Sequence, residues 1–513
     1  MISCQAHVRW ALVGAAMTVA ALVGGCGGNY RPVISSISSS GPASQITSYV
    51  VAVTSTGSNA DGVVSIIDYS GDSVMAQATI GLGPTAFTLD ESGSTGYTLN
   101  SDNTLSNFSI STSLQTKSVS TSTLSSTKIV NFLAPSSGLW ATDLNGDVVD
   151  IFSGSPEAIK NKVSVAATMP MFIAGSSSSS GTRQYVISQN VSDAIACNQS
   201  PTTAPSGTAT PIMVSTYTTD TPITVGKCPV FAVPSTDQNR VFVLNRGDDT
   251  ISVINNQSGA LDSCTPFQNE SGQWVTCHPT IQLPAGSGPV FAVYNATTEQ
   301  LIVSNYDGGT ISVIDVPLDK YGNDSNNYSN STCIASGDTT STYAGCGSIT
   351  GGFGATIRTI SVGNTTTPNP ASVAVLYDGT KAYTANQNDD ASGSGNGTVS
   401  VVNLSSYTLE KTLTVTGHPR SISATQNSEY NKVYVASPDS DYLTIIKSTP
   451  TETDVTDTTL RLSGQLLDLR VTTENGSNST LSNYSSRVPG YGQPCNLPGS
   501  TYTASLTACQ ALP

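Results

Sequence analysis

A strand–turn–strand pattern recurs along most of the 513-residue chain and limits its fold more than any other feature. Three clear copies are VFVLNRGDDTISVI (241–254), IVSNYDGGTISVID (302–315) and AYTANQNDDASGSGNGTVSVVN (382–403). Each alternates apolar and polar residues, passes through Asn, Asp and Gly, and alternates again. This pattern predicts antiparallel hairpins. Their recurrence predicts a repeat architecture.

A third apolar run and a proline-containing turn follow each hairpin. Examples are TIGLGPTAF (79–87), ITVGKCPVFAV (223–233), TVTGHPRSISA (414–424) and the looser IQLPAGSGPVFAV (281–293). Because proline cannot donate a hydrogen bond to a central strand, it marks the crossover into the next sheet. Together these motifs resemble the YVTN family of β-propeller repeats over roughly residues 48–472, most clearly in the second half and weakly between 95 and 215. The resemblance implies four-stranded antiparallel blades around a channel, and it implies no single activity.

The number of repeats predicts an all-β protein with one β-propeller of eight blades, with seven as the alternative. A final apolar run, from Leu466 to Val471, is predicted to pair with the strand beginning at Tyr49 and close the ring, which removes a free sheet edge. The eight predicted second strands begin near Tyr49, Gly96, Leu139, Gln184, Arg240, Leu301, Lys381 and Lys432.

The first residues predict export and lipid anchoring. Arg9 precedes an apolar stretch, 10–23, which has the length of a signal peptide. The sequence Val-Gly-Gly-Cys then resembles a bacterial lipobox, so residues 1–25 are predicted to be a signal peptide and Cys26 to carry lipid. Residues 26–47 would form a flexible tether. Because residue 27 is Gly and not the Asp of the inner-membrane retention signal, the outer membrane is the favoured location. The alternative to a lipid anchor is a secreted protein cleaved near the same point.

Eight cysteines remain after the predicted processing, and an even number in an exported chain predicts disulfides. Nearest neighbours suggest four pairs, the last of them in a tail predicted at 473–513. Loops of about 14 residues would each contribute roughly 3 kcal/mol to stability. A zinc site is disfavoured because no Cys-x-x-Cys occurs, so no metal is predicted. The proposed pairs are Cys197–Cys228, Cys264–Cys277, Cys333–Cys346 and Cys495–Cys509.

Net charge argues against nucleic acid as a partner. The chain carries a net charge of −15 without a basic cluster, and would therefore repel phosphate backbones. The expected partner is an envelope protein, a polysaccharide or a small ligand. Contact with the membrane is expected through the lipid anchor only, the protein is expected to be a monomer, and no cofactor is predicted.

Antiparallel order divides the loops between two faces. With the strands of a blade called a to d from the axis outward, the b–c and d–a loops share one face, here the crossover face. The a–b and c–d loops share the other, here the tether face. The insertion at 190–210 is predicted to be a b–c loop, and those at 256–277 and 317–356 to be c–d loops. Tether and tail are both predicted to leave from the tether face.

Polar residues of the crossover face are the candidate ligand-binding groups. A ring of carboxylates could hold a cation or a cationic ligand. The simpler interpretation is that tight hairpins need Asp, and crossover turns accept many polar residues. The turn Gly-His-Pro-Arg adds His418 and Arg420 to the candidates. The candidate carboxylates are Asp102, Asp147, Asp248, Asp307, Asp389 and Asp439.

Motifs that would indicate catalysis were not found in the sequence. It contains no Gly-x-Ser-x-Gly elbow, phosphate-binding loop or dinucleotide fingerprint, and only His278 and His418 remain after processing. We therefore expect a non-catalytic binding scaffold and assign no catalytic residue. The alternative is a lactonase-like hydrolase, for which Asp439, Arg420 and His418 are the candidates.

Overall fold

The computed structural model describes residues 49–472 with gaps. The predicted signal peptide, tether and tail, with Cys26, lie outside the described residues. So do Cys264, Cys277, Cys333, Cys346, Cys495, Cys509 and His278. The residues left out within the range are 58, 91–92, 111–118, 127–128, 136, 155–156, 179–180, 193–196, 198–200, 236–237, 239, 257, 263–266, 269–273, 276–279, 296, 299, 317–356, 426–429 and 449–453.

Eight antiparallel blades form a ring, which confirms the predicted β-propeller and the count of eight. Blade I combines the last strand with the first three, as the sequence predicted. In order a to d, blade I is β36 (Gln465–Val471), β1 (Tyr49–Ser55), β2 (Asp61–Asp68) and β3 (Val74–Leu82); blade II is β4 (Pro84–Leu89), β5 (Thr95–Asn100), β6 (Thr104–Ser109) and β7 (Val119–Thr123); blade III is β8 (Ile129–Leu133), β9 (Leu139–Asp143), β10 (Val148–Ser153) and β11 (Ala158–Ser164); blade IV is β12 (Pro170–Ser178), β13 (Gly181–Ser188), β14 (Ser206–Met213), and β15 (Thr218–Thr219) with β16 (Ile223–Lys227).

The remaining blades follow the same order, and a 3-10 helix, Pro201–Thr203, lies in the b–c insertion of blade IV. Blade V is β17 (Pro229–Pro234), β18 (Arg240–Asn245), β19 (Thr250–Asn255), and β20 (Ala260–Leu261) with β23 (Thr280–Gln282); blade VI is β24 (Pro289–Asn295), β25 (Gln300–Asn305), β26 (Thr310–Asp315) and β27 (Ile357–Ser361); blade VII is β28 (Pro370–Val375), β29 (Lys381–Asn386), β30 (Gly397–Asn403) and β31 (Thr408–Val415); blade VIII is β32 (Ser421–Ala424), β33 (Lys432–Ala436), β34 (Tyr442–Lys447) and β35 (Val455–Arg461).

The insertion of blade V differs from its predicted position. It was expected to be a c–d loop at 256–277, but strand d is itself split around it. β20 pairs with the end of β19 and β23 pairs with its beginning. The inserted segment therefore leaves from the middle of the outer strand, and contains a short hairpin of β21 (Phe267–Gln268) and β22 (Trp274–Val275). An outer edge accepts such an insertion because no further strand pairs with it.

Ring closure joins the two ends of the described chain at the tether face. β36 pairs with β1 along its length. Tyr49 N–H donates to Thr472 Oγ1 at 2.7 Å, and Thr472 N–H donates to Tyr49 O at 2.8 Å. The ring is therefore entered and left at one point, as the strand order predicted.

The repeat motif is a hydrogen-bond network that holds the hairpins together. In blade VI, Asn305 Nδ2 at the end of strand b donates to Thr310 Oγ1 and Ser312 Oγ of strand c, both at 2.9 Å. The same pair of bonds occurs in blades II, V and VII, from Asn100, Asn245 and Asn386. Because each such buried bond contributes about 1 kcal/mol, the motif explains why these residues recur.

A second network ties neighbouring blades together at the tether face. Lys432 and Tyr434 of blade VIII both contact Asp72 in the c–d turn of blade I, at 2.6 Å and 3.2 Å. Lys381 and Tyr383 of blade VII contact Asp454 of blade VIII in the same way, at 2.6 Å and 2.7 Å. We call this arrangement the Lys-x-Tyr latch. Burial raises the pKa of Tyr434, so its hydroxyl stays protonated and donates.

Apolar side chains fill the space between the blades. Large buried clusters run through blades IV to VII and across the closing blades VIII and I. In the part of the chain that is described, no helix has the length and hydropathy needed to cross a membrane.

Candidate functional site

Most candidate carboxylates of the crossover face accept hydrogen bonds from the turns around them. Asp389 is buried and accepts from the amides of Asn364 and Thr365 and from Thr398 Oγ1. Asp248 accepts from Lys227 N–H at 3.1 Å and Thr250 Oγ1 at 2.7 Å. These carboxylates therefore support the turns.

Asp102 and Asp147 act in the same way within smaller networks. Asp102 Oδ1 accepts from Thr104 Oγ1 at 2.5 Å, which closes its own hairpin. Asp147 Oδ1 accepts from Met169 N–H at 2.9 Å, in the crossover that leads to blade IV. Ligand binding by the ring of carboxylates stays a prediction, whereas a structural use of each of these four is observed.

Asp307 forms an ion pair that spans blades V and VI. Arg246 Nε and Nη2 donate side-on to its two carboxylate oxygens at 2.9 Å and 3.0 Å. Arg246 Nη1 also lies 3.4 Å from the carbonyl oxygen of Cys197, in the insertion of blade IV. The predicted disulfide Cys197–Cys228 is confirmed and fixes that insertion to the next crossover. Arg246 therefore has a structural role beneath the insertion.

His418 and Asp439 bring two different candidate types into contact. Asp439 Oδ1 accepts from His418 N–H, and Oδ2 lies 2.8 Å from His418 Nδ1. Gly417 has φ +70°, and a Cβ there would lie 2.6 Å from Asp439 Oδ1, so glycine permits this approach. Burial lowers the pKa of His418, which the carboxylates of Asp439 and Asp390 oppose. The carboxylate orients the imidazole, as in a general base.

Arg420 does not lie on the surface of the crossover face. Its side chain is buried near Asp468 and Tyr306, and burial lowers the pKa of Arg420 to about 10 against the opposing effect of those two groups. Asp468 Oδ1 accepts from Ser421 Oγ at 2.6 Å and from Arg470 Nη1 at 2.6 Å. Sequence reasoning missed Asp468 and Arg470. A possible signal was two charged residues in the otherwise apolar closing strand QLLDLRV.

Equivalent positions of the eight innermost strands divide the ring into two arcs. In seven of the innermost strands this position lies two residues after the one that pairs at the end of strand b, on the far side of a bulge. In blade VIII it is Ser421, the first paired residue of β32. The innermost strands of neighbouring blades contact one another around the ring. In blades IV to VI it holds Phe172, Phe231 and Phe291, whose ring centroids lie 4.8 Å and 4.6 Å apart. We call these the aromatic arc. The other five blades, in order VII, VIII, I, II and III, place Ser372, Ser421, Asp468, Ala86 and Asn131 there, and these form the polar arc.

Blade III carries a pair of buried carboxylates where other blades carry the repeat motif. Asp143 and Asp150 take the places of Asn and Ser, and they are 1% and 0% exposed. Desolvation raises the pKa of Asp150, the nearby Asp143 adds to the rise, and Lys162 at 3.0 Å opposes it. No group of three or more His, Cys, Asp or Glu side chains in the described ranges is placed to hold a metal ion.

Comparison with known proteins identifies the fold and no closer relationship. Neither a protein-family model nor a curated protein matches the sequence, so the YVTN resemblance stays a prediction. Apo AztD from Citrobacter koseri is 13% identical with a TM-score of 0.51, and the match covers 83% of this chain and 97% of AztD. The dihydro-heme d1 dehydrogenase NirN, in complex with DHE, is 12% identical with a TM-score of 0.50, covering 84% of this chain and 76% of NirN.

Looser matches include a proposed 6-phosphogluconolactonase from Bacteroides fragilis. It is 12% identical with a TM-score of 0.47, and the match covers 84% of this chain and 99% of the other. At such identities AztD and NirN share a fold with the chain and indicate no activity. The strand order of the chain itself defines an eight-bladed β-propeller.

Proposed function

We propose that this protein is an exported, lipid-anchored propeller that acts as a non-catalytic binding protein at the cell envelope. Its recognition surface is the crossover face together with the polar arc. The observation that carries this proposal is the meeting of Tyr49 and Thr472 at the tether face. A tether that begins before Tyr49 leaves the crossover face turned away from the membrane.

The loops of the crossover face also support a role of this face in partner binding. A disulfide-fixed insertion projects there between blades IV and V, and loops held on a rigid scaffold are common binding elements. The turn carboxylates are engaged by amides and hydroxyls, which gives the face a fixed shape. We infer that specificity lies in this shape and in the buried polar groups of the arc.

Blocking one face at a time tests the proposal. A Cys26→Ala chain, exported without lipid, serves as bait in envelope extract. A bulky maleimide is attached at Ala391→Cys, exposed in a b–c loop, or at Ser215→Cys, exposed in a c–d turn. We expect the first modification to abolish capture of the specific partner and the second to leave it. Equal loss from both faces would contradict the proposal.

Lipid anchoring has its own test. Palmitate labelling of the wild-type chain should disappear in Cys26→Ala. Labelling that survives this substitution would refute the anchor and leave the face assignment to the capture experiment.

The second candidate function is lactone hydrolysis, favoured by the contact between His418 and Asp439. An imidazole held by a carboxylate through Nδ1 can act as a general base through its other nitrogen. Purified protein is assayed on lactones with and without EDTA, beside His418→Ala and Arg420→Ala. Turnover that both substitutions abolish would replace the binding proposal with an enzymatic one.

A further inference from the structure

Arg470, a buried arginine on the innermost strand of blade I, has two donor atoms without an acceptor in the part of the chain that is described. Arg470 Nη1 donates to Asp468 Oδ1 and to the carbonyl oxygen of Leu469, both at 2.6 Å. Nε and Nη2 are buried and meet no acceptor among the described residues. A buried donor without an acceptor costs about 1–3 kcal/mol, and more when charged, so its persistence calls for an explanation.

The same molecule shows what this side of a guanidinium binds. Arg246 uses Nε and Nη2 to hold the two oxygens of Asp307 at 2.9 Å and 3.0 Å. This planar, two-point arrangement fits the two oxygens of a carboxylate, as it can fit those of a phosphate, and a lysine cannot reproduce it. Arg470 presents the same pair of atoms without the carboxylate.

Charge around Arg470 favours a negative ligand. Arg470 and Arg420 lie beside one carboxylate, Asp468, so the cluster carries an excess positive charge inside a chain of net charge −15. The side chains of Arg470 and Asp468 keep 9% and 11% exposure, but Nε and Nη2 are themselves buried, so a ligand reaches them only if neighbouring side chains move. Just after strand b of blade VII, Gln387 Nε2 is a second buried donor without an acceptor in the described chain.

We propose that Arg470, on the innermost strand that contributes Asp468 to the polar arc, binds a carboxylate. Its Nε and Nη2 hold the carboxylate side-on, as Arg246 holds Asp307. This inference rests on the proposed binding function and names its ligand class. The ligand is an organic acid or an acidic residue of a larger partner, and Ser421 and Asp468 position the guanidinium that receives it.

Calorimetric titration of the full chain in detergent tests the proposal with glucuronate as the probe. We expect saturable binding of glucuronate and none of its neutral methyl ester, a pair that needs no substitution in the protein. Arg470→Lys keeps the charge beside Asp468 but removes the planar edge, and should weaken binding at least tenfold. Arg240→Lys, at the tether face and already paired through Nε with Asp262, is the matched control and should bind within twofold of wild type.

Each other result overturns the assignment. Equal binding of acid and ester, equal affinity in Arg470→Lys, or no binding of glucuronate, acetate or benzoate would refute a carboxylate site. Stronger binding of inorganic phosphate that is lost in Arg470→Lys would assign the edge to a tetrahedral anion instead. Partner capture that survives Arg470→Lys would leave the proposed function standing while this inference failed.

Discussion

Blade VI and blade III carry chemically different side chains at equivalent positions of strands b and c. In blade VI, Asn305 donates to two hydroxyls, and every group is neutral. In blade III, Asp143 and Asp150 occupy the Asn and Ser places, and the nearest cation, Lys162, reaches only Asp150. Asp143 instead accepts from Ser126 Oγ and Asn145 N–H, at 2.6 Å and 2.8 Å.

The difference shows that the repeat motif stabilises a blade without being required for it. Blade III keeps its four strands because apolar residues on both sides still pack against blades II and IV. Blade I also lacks the motif, with Thr54 at the Asn place, and it relies on the Lys-x-Tyr latch from blade VIII. Blades I and III thus each take part in an ion pair and lack the amide–hydroxyl bonds of the repeat motif.

The largest expected effect comes from removing the latch that supports blade I. Lys432→Met leaves Asp72, whose side chain is only 12% exposed, without its cation, which should lower the free energy of unfolding by about 3 kcal/mol. The measurement is chemical denaturation followed by circular dichroism. Lys411→Met, whose ammonium donates to the backbone carbonyl oxygen of Asp454 and to no carboxylate among the described residues, is the control and should cost far less. Similar losses in both would argue against the latch.

Making blade VI resemble blade III should have the next largest effect. Asn305→Asp replaces a double donor with a carboxylate that faces two hydroxyls, and should destabilise the protein by about 2–4 kcal/mol. Asn305→Ala loses the bonds but buries no charge, and should cost less at pH 7. An aspartate variant as stable as the alanine variant would mean that blade VI tolerates the chemistry of blade III.

Making blade III resemble blade VI should stabilise the protein. The double substitution Asp143→Asn and Asp150→Ser restores one amide–hydroxyl bond and removes two buried charges, for an expected gain of about 1–2 kcal/mol at pH 7. The two single variants complete a thermodynamic cycle, and their effects should not add. Loss of stability in the double variant would assign blade III a stabilising ion pair.

The smallest effect concerns pH. The pKa of Asp150 is raised in the fold above its ordinary value of 3.8, so the folded state holds this proton more tightly than the unfolded state. The resulting stabilisation is complete below pH 3.8 and is lost as pH rises through the folded-state pKa. Relative to Asp150→Asn, the wild type should therefore lose stability as the pH rises above 3.8 through the raised folded-state pKa, measured by denaturation at each pH. A constant difference would place Asp150 in a solvated environment.

Sequence reasoning was accurate where one local pattern sufficed. The favoured blade count, the closing strand and the crossover position of His418 followed from periodicity and strand order, and the Cys197–Cys228 pair followed from nearest-neighbour pairing of the cysteines. Blade II, in the region where the pattern seemed diluted, carries the complete network of Asn100, Thr104 and Ser106. Dilution there affects the outer strand, VSTST, whose side chains are partly or fully exposed.

Periodicity predicted a ring of four-stranded blades and favoured eight over seven, because alternation and turn residues act over a few neighbouring positions. Only the tertiary structure decided which polar groups meet. Ser421 and Asp468 are 47 residues apart, and Lys432 and Asp72 are 360 apart. Such pairs depend on how the blades pack around the axis, so no local pattern could reveal the polar arc or the open edge of Arg470.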